Sequence, residues 1–77
     1  MTMRKRSIAI RGHRTSISLE TPFWEALAEI AAEGGLSIPA LVAGIDEARG
    51  PLNLSSALRL HILAHYRARA ATPHRDA

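Results

Sequence analysis

The sequence predicts an α+β domain that is mostly helical, with an N-terminal β-strand or hairpin followed by three helices. Three observations carry this. Residues 7–11 and 15–19 alternate apolar and polar, the period of a half-buried strand. Phe23, Leu27 and Ile30 recur at helical spacing directly after a Thr21-Pro22 start signal. Gly34-Gly35 and Arg49-Gly50-Pro51 then divide the rest of the chain into two further helical stretches.

In the first strand Ile8 and Ile10 share a face, and in the second Thr15, Ile17 and Leu19 do. Gly12-His13 lies between them and suits a two-residue type II′ turn with glycine first. That turn would pair Ile10 with Thr15 and Ile8 with Ile17, so that both apolar faces coincide. The same residues also allow residues 1–12 to stay a basic arm, with 15–19 as the one strand.

Thr21 is a good N-cap and Pro22 suits the first position of a first helix. Phe23, Leu27 and Ile30 form its apolar stripe, and Glu25, Glu29 and Glu33 lie on another face. Trp24, one position off the stripe, is read as packing against another helix or subunit, with anchoring of a partner protein as the rival. Gly34-Gly35 ends the helix with one residue left-handed. Ser37 then caps a second helix whose stripe is Leu41, Val42 and Ile45. Asn53 or Ser55 caps a third, running to about Arg69. Leu54, Leu58, Ile62 and Tyr66 form its broad apolar face, and Leu60 and Leu63 fall elsewhere, so the helix is apolar nearly all round. In so small a chain that pattern points to a subunit interface. The division is residues 1–12 as arm or first hairpin strand, 13–70 as the domain and 71–77 as a disordered tail.

A chain of 77 residues makes one domain. It buries only ~60% of the surface its unfolded form exposes, so it is marginal alone. It has no cysteine, which removes disulfides and thiolate zinc sites as remedies, and 47% of it is hydrophobic. Oligomerisation is the remaining remedy. No apolar run approaches the ~20 residues of a membrane span, and a soluble cytoplasmic protein is expected.

Net charge is +3, and its distribution is segregated. Every charge before Glu20 is positive, every charge from Glu20 to Glu47 is negative, and from Arg49 to Arg75 all are positive again. A basic pole of this kind fits a polyanion partner. No paired carboxylate stands beside a histidine and no phosphate-binding glycine motif is present, so no enzyme is expected. His61 and His65, at i and i+4, are neighbours on the third helix; without a carboxylate there they are read as packing or hydrogen-bonding groups rather than metal ligands. No metal or other cofactor is expected.

Strand, helix, tight glycine turn and serine-capped helix form an order with a known counterpart. Arg14-Thr15-Ser16-Ile17-Ser18-Leu19, Phe23-Trp24-Glu25-Ala26-Leu27 and Gly35-Leu36-Ser37-Ile38-Pro39-Ala40-Leu41-Val42 resemble the ribbon-helix-helix DNA-binding family, the Arc/MetJ-type repressor fold. More closely, Lys5 to Arg67 is similar to a group of short bacterial ribbon-helix-helix proteins. Within it, Arg11 to Glu20 and Asn53-Leu54-Ser55-Ser56-Ala57-Leu58-Arg59 are the characteristic stretches. The resemblance permits a second helix at Ser37 to Glu47 or at Ser55 to Arg67; the first follows the glycine turn directly and is preferred.

The resemblance implies an intertwined homodimer in which one strand from each subunit forms a ribbon for the ~12 Å wide major groove of duplex DNA. Arg14, Ser16 and Ser18 would then read bases. Lys5, Arg6 and Arg11, with Ser37 and the amide of Ile38 at a helix N-terminus, would hold phosphates. Ile17, Leu19, Leu58, Ile62 and Tyr66 would form the dimer interface. The implied function is a transcriptional repressor. The alternative on the same dimer is an adaptor or antitoxin-like interaction module, with Glu25, Glu29 and Glu33 facing a basic protein partner. A hairpin at residues 7–19 would make the dimer sheet four strands wide, in tension with the width of the groove.

Overall fold

The computed structural model describes residues 2–71. Strand β1 (Met3–Ile10) pairs antiparallel with β2 (His13–Glu20), and three helices follow: α1 (Thr21–Glu33), α2 (Ile38–Ala48) and α3 (Leu54–Ala71). The hairpin, not the free arm, is therefore the form residues 3–10 take. Its turn is Arg11-Gly12, not Gly12-His13. Both turn residues have positive φ, 49° and 82°, as a type I′ turn requires. The register shifts by two residues, to Ile10 opposite His13 and Ile8 opposite Thr15. A slip of two keeps every side chain on its face, so Ile8, Ile10, Ile17 and Leu19 all still point into the core. Arg11 is the strained partner of the turn, and two acids of α2 hold it. Its guanidinium meets Asp46 at 2.7 Å and Glu47 at 3.1 Å.

The first helix starts one residue earlier than expected. Glu20 stands at the N-cap position, Thr21 is already helical, and the Thr21 hydroxyl donates to the Thr2 carbonyl instead of capping. Its buried face is also turned: Trp24, Leu27, Ile30 and Ala31 are buried and Phe23 only partly so. The cause is the hairpin, because β1 offers the Arg4 carbonyl to the indole Nε1 at 3.0 Å. At the end of α1, Gly35 is left-handed, Leu36 N–H donates to Ala31 O and Gly35 N–H to Ala32 O, which is a Schellman stop.

Ser37 caps α2 as expected, its hydroxyl accepting from Ala40 N–H at 3.2 Å. Replacing Ser37 by alanine should cost about 1 kcal/mol of folding stability, within the ~0.5–2 kcal/mol of such caps. A denaturant midpoint measures it, and an unchanged midpoint would show that water satisfies the amide equally well. Asn53 caps α3 through Ser56 N–H. Arg49 bonds Asp46 and the Leu52 carbonyl, bracing the α2–α3 loop. Ala71 belongs to α3 rather than to a tail; the tail expected from there on otherwise lies outside the described residues.

The helices pack on one face of the hairpin. Ile17, Leu19, Leu27, Val42 and Leu58 are fully buried between them, and Ile62 nearly so. Four of the residues expected at a subunit interface, Ile17, Leu19, Leu58 and Ile62, thus sit in the core of their own chain. The fifth, Tyr66, is half-buried and donates its hydroxyl to Glu29 at 2.7 Å. That bond raises the Tyr66 hydroxyl above its ordinary value. Glu33 meets His65 and Arg69, so α3 engages two of the three carboxylates of α1.

Candidate nucleic-acid interface

Opposite the helices, the hairpin presents a largely polar face, with Met3 at one end. Strand alternation places Lys5, Ser7 and Ala9 of β1 there, with Arg14, Ser16 and Ser18 of β2. The register sets Lys5 opposite Ser18, Ser7 opposite Ser16 and Ala9 opposite Arg14. Arg14 and Ser16 are exposed and Ser18 is half-buried. Arg14 reaches diagonally to the Ser7 hydroxyl at 3.3 Å. All three residues expected to read bases therefore share one surface, with Lys5 among them. Ser7 joins this surface unforeseen. Its signal was available, since it lies two positions from Lys5 in an alternating run.

The other expected phosphate contacts are dispersed. Arg6 lies on the helix side of the sheet, its guanidinium 5.0 Å from the centre of the Trp24 ring. Arg11 is held by Asp46 and Glu47, although half of its side chain stays exposed. Ser37 is exposed, but its hydroxyl is used in the cap, and Ile38 is partly buried against the core. An open groove of about 390 Å³ gathers Arg4, Arg6, Trp24 and Ile38 at the start of α2. The readers thus share one surface, while Arg4 and Arg6 line a separate lateral groove that also holds Glu25.

Ion pairing sharpens the polarity. Among the described residues Arg11, Arg49, Arg59 and Arg69 each meet a carboxylate. Arg4, Lys5, Arg6 and Arg14 on the hairpin meet none, and neither does Arg67 on α3. Glu20, the acid nearest the reading face, is neutralised by Arg59 at 2.9 Å. Its own main-chain N–H and then Arg59 hold its carboxyl below the ordinary 4.5. A lowered carboxyl stabilises the fold above that ordinary value and loses the contribution as pH falls through the lowered one. Glu20→Gln should therefore flatten the fall in denaturant midpoint below about pH 4.5 relative to the wild type. Parallel curves would remove Glu20 as a contributor to acid unfolding.

The β2 edge away from β1 is partly open. Thr21 N–H donates to Thr2 O, so in the alternating ladder odd-numbered β2 residues bond β1. The main-chain groups of Arg14, Ser16 and Ser18 face the other way. Ser55 donates to the Ser18 carbonyl at 3.1 Å, and among the described residues nothing pairs with the main chain at Arg14 and Ser16 on this edge.

A ribbon-helix-helix domain model matches residues 3–66. The chain belongs to the ribbon-helix-helix family. An uncharacterized protein from Bordetella pertussis Tohama I has a similar structure, with a TM-score of 0.77 and 31% sequence identity. The similarity covers 96% of this chain and 65% of that one, so the chain spans just under two thirds of its structural relative. No curated protein matches the sequence. In this ribbon-helix-helix chain the matched stretch takes in β1, β2, α1, α2 and α3 as far as Tyr66. Among the described residues no single helix is long and apolar enough to cross a membrane, and no three His, Asp or Glu side chains cluster as metal ligands.

Proposed function

We propose that the protein is a cytoplasmic, non-enzymatic regulator that binds duplex DNA sequence-specifically as a homodimer, most simply a transcriptional repressor. The observation that carries this reading is the outward hairpin face. Arg14, Ser16, Ser18, Ser7 and Lys5 lie together there, opposite the helices, with no unneutralised carboxylate among them. Arginine can bond guanine O6 and N7 together, and serine can donate to or accept from either kind of base.

The open β2 edge supports a two-fold arrangement. Two β2 strands aligned antiparallel about Ser16 would place each Arg14 beside Ser18 of the partner subunit, with Ser55 sharing or releasing the Ser18 carbonyl. The resulting sheet has four strands, with its outer strands ~14 Å apart, wider than a ~12 Å groove. The right-handed twist turns those outer strands away from the plane of the inner pair. The inner pair then enters the groove with Arg14, Ser16 and Ser18, while Lys5 on β1 meets the phosphate ridge. Phosphate contacts of this kind add affinity and salt dependence without sequence choice.

Selection of bound duplexes from a random pool at physiological salt tests the reading. Enrichment of a two-fold symmetric site, with affinity falling steeply as salt rises, is the expected result. A folded dimer that enriches no sequence and ignores salt would move the assignment to a protein-interaction module.

A further inference from the structure

The hairpin has a second open edge, on the outer side of β1. Even-numbered β1 residues bond β2, in step with the bond from Thr21 N–H to the Thr2 carbonyl. The main-chain N–H and C=O groups of Met3, Lys5, Ser7 and Ala9 therefore point away from β2. Among the described residues nothing pairs with them. The strand is eight residues long and pairs with β2 without a bulge. An edge of that length and regularity is a template for a further strand.

Charge decides what this edge accepts. Arg4, Lys5 and Arg6 follow one another on it, all exposed and none meeting a carboxylate among the described residues. Arg4 and Arg6 lie on the side of the sheet where Ile8 and Ile10 are buried. There they line the lateral groove of about 390 Å³, whose apolar part is Trp24, Ala28 and Ile38. Glu25 shares the groove and pairs with neither arginine. A second β1 laid along the edge would set cation against cation, and like charges across a strand pair are destabilising. Cations on an edge guard against such self-pairing. The same charges favour a strand that carries carboxylates.

We propose that the outer edge of β1 binds an acidic extended segment of another protein by strand addition. Main-chain bonds to Lys5 and Ser7 hold the segment, which is how added strands gain affinity. Its glutamate or aspartate side chains meet Arg4 and Arg6 at the mouth of the groove, and Trp24 and Ile38 offer apolar contact below. On the DNA reading, the segment also excludes the duplex. It lies beside Lys5 and adds ~4.8 Å to a sheet already wide for the major groove. That consequence rests on the DNA reading; the binding of the segment does not.

Fluorescence anisotropy at physiological salt, without DNA, tests this. The probe is a labelled, capped peptide of the length of β1 that alternates glutamate and threonine. It should bind saturably, and a counterpart alternating lysine and threonine should not. Methylating every peptide nitrogen of the probe keeps its charge, removes its main-chain donors and should abolish binding. Arg4→Ser combined with Arg6→Ser should weaken the probe about tenfold. Ser7→Pro removes an N–H that β2 does not use, so the hairpin persists while strand addition is blocked. Circular dichroism checks that fold. A glutamate probe that does not bind, a methylated probe that binds equally well, or a folded Ser7→Pro protein of unchanged affinity would overturn the proposal. Added to the protein on its selected duplex, the probe should release the DNA. A ternary complex would overturn the exclusion and leave the DNA reading intact.

Discussion

Replacing Leu58 by alanine is expected to remove ~2–5 kcal/mol of folding stability. Leu58 is fully buried where α3 meets the rest of the core, and it makes α3 part of the domain rather than an appendage. The loss combines the transfer of its side chain with the void left behind. Domains of this size hold only ~5–15 kcal/mol in all, and small ones lie near the bottom of that range. The variant should therefore unfold at markedly lower urea, with an unchanged slope. A loss below about 0.5 kcal/mol, the range of ordinary surface changes, would mean that α3 does not close the core as described.

Replacing Arg14 by alanine should weaken binding to the selected duplex by ~1–3 kcal/mol and relax the choice of sequence. Arg14 is exposed, meets no carboxylate, and is held only by a long bond to Ser7, so freeing it for a base requires little. Lys5→Ala is the companion measurement. It should weaken all duplexes alike and lower the salt slope by about 1. Equal losses on selected and random duplexes for Arg14→Ala would make it a phosphate contact and place the reading surface elsewhere.

Much of this architecture could be read from periodicity. Alternation found both strands, and it survived the misplaced turn because a two-residue slip preserves side-chain parity. The turn itself depends on Arg11, whose left-handed backbone is unusual for arginine and is held by Asp46 and Glu47 on a distant helix. Nothing local announces such a contact. The cap at Ser37 and the glycine stop before it were legible because they involve neighbours along the chain. The burial of Trp24 in place of Phe23 was not, because the hairpin decides it through the Arg4 carbonyl. Hydrophobicity marked Leu58 and Ile62 as buried, yet it carries no information on which chain buries them. Alternation likewise marked Arg14, Ser16 and Ser18 as facing away from the core, whereas Arg6 left the expected phosphate set because its partner, an aromatic face, is tertiary.

The indole latched to β1 has a practical corollary. Trp24 is the one tryptophan in the chain, it is 4% exposed, and Arg6 covers its ring. Peeling β1 away would orphan the indole N–H and wet the ring at once. Intrinsic emission near the blue end of the tryptophan range therefore reports an intact hairpin without any label. Its drift to longer wavelength during a DNA titration would register the strand lifting off.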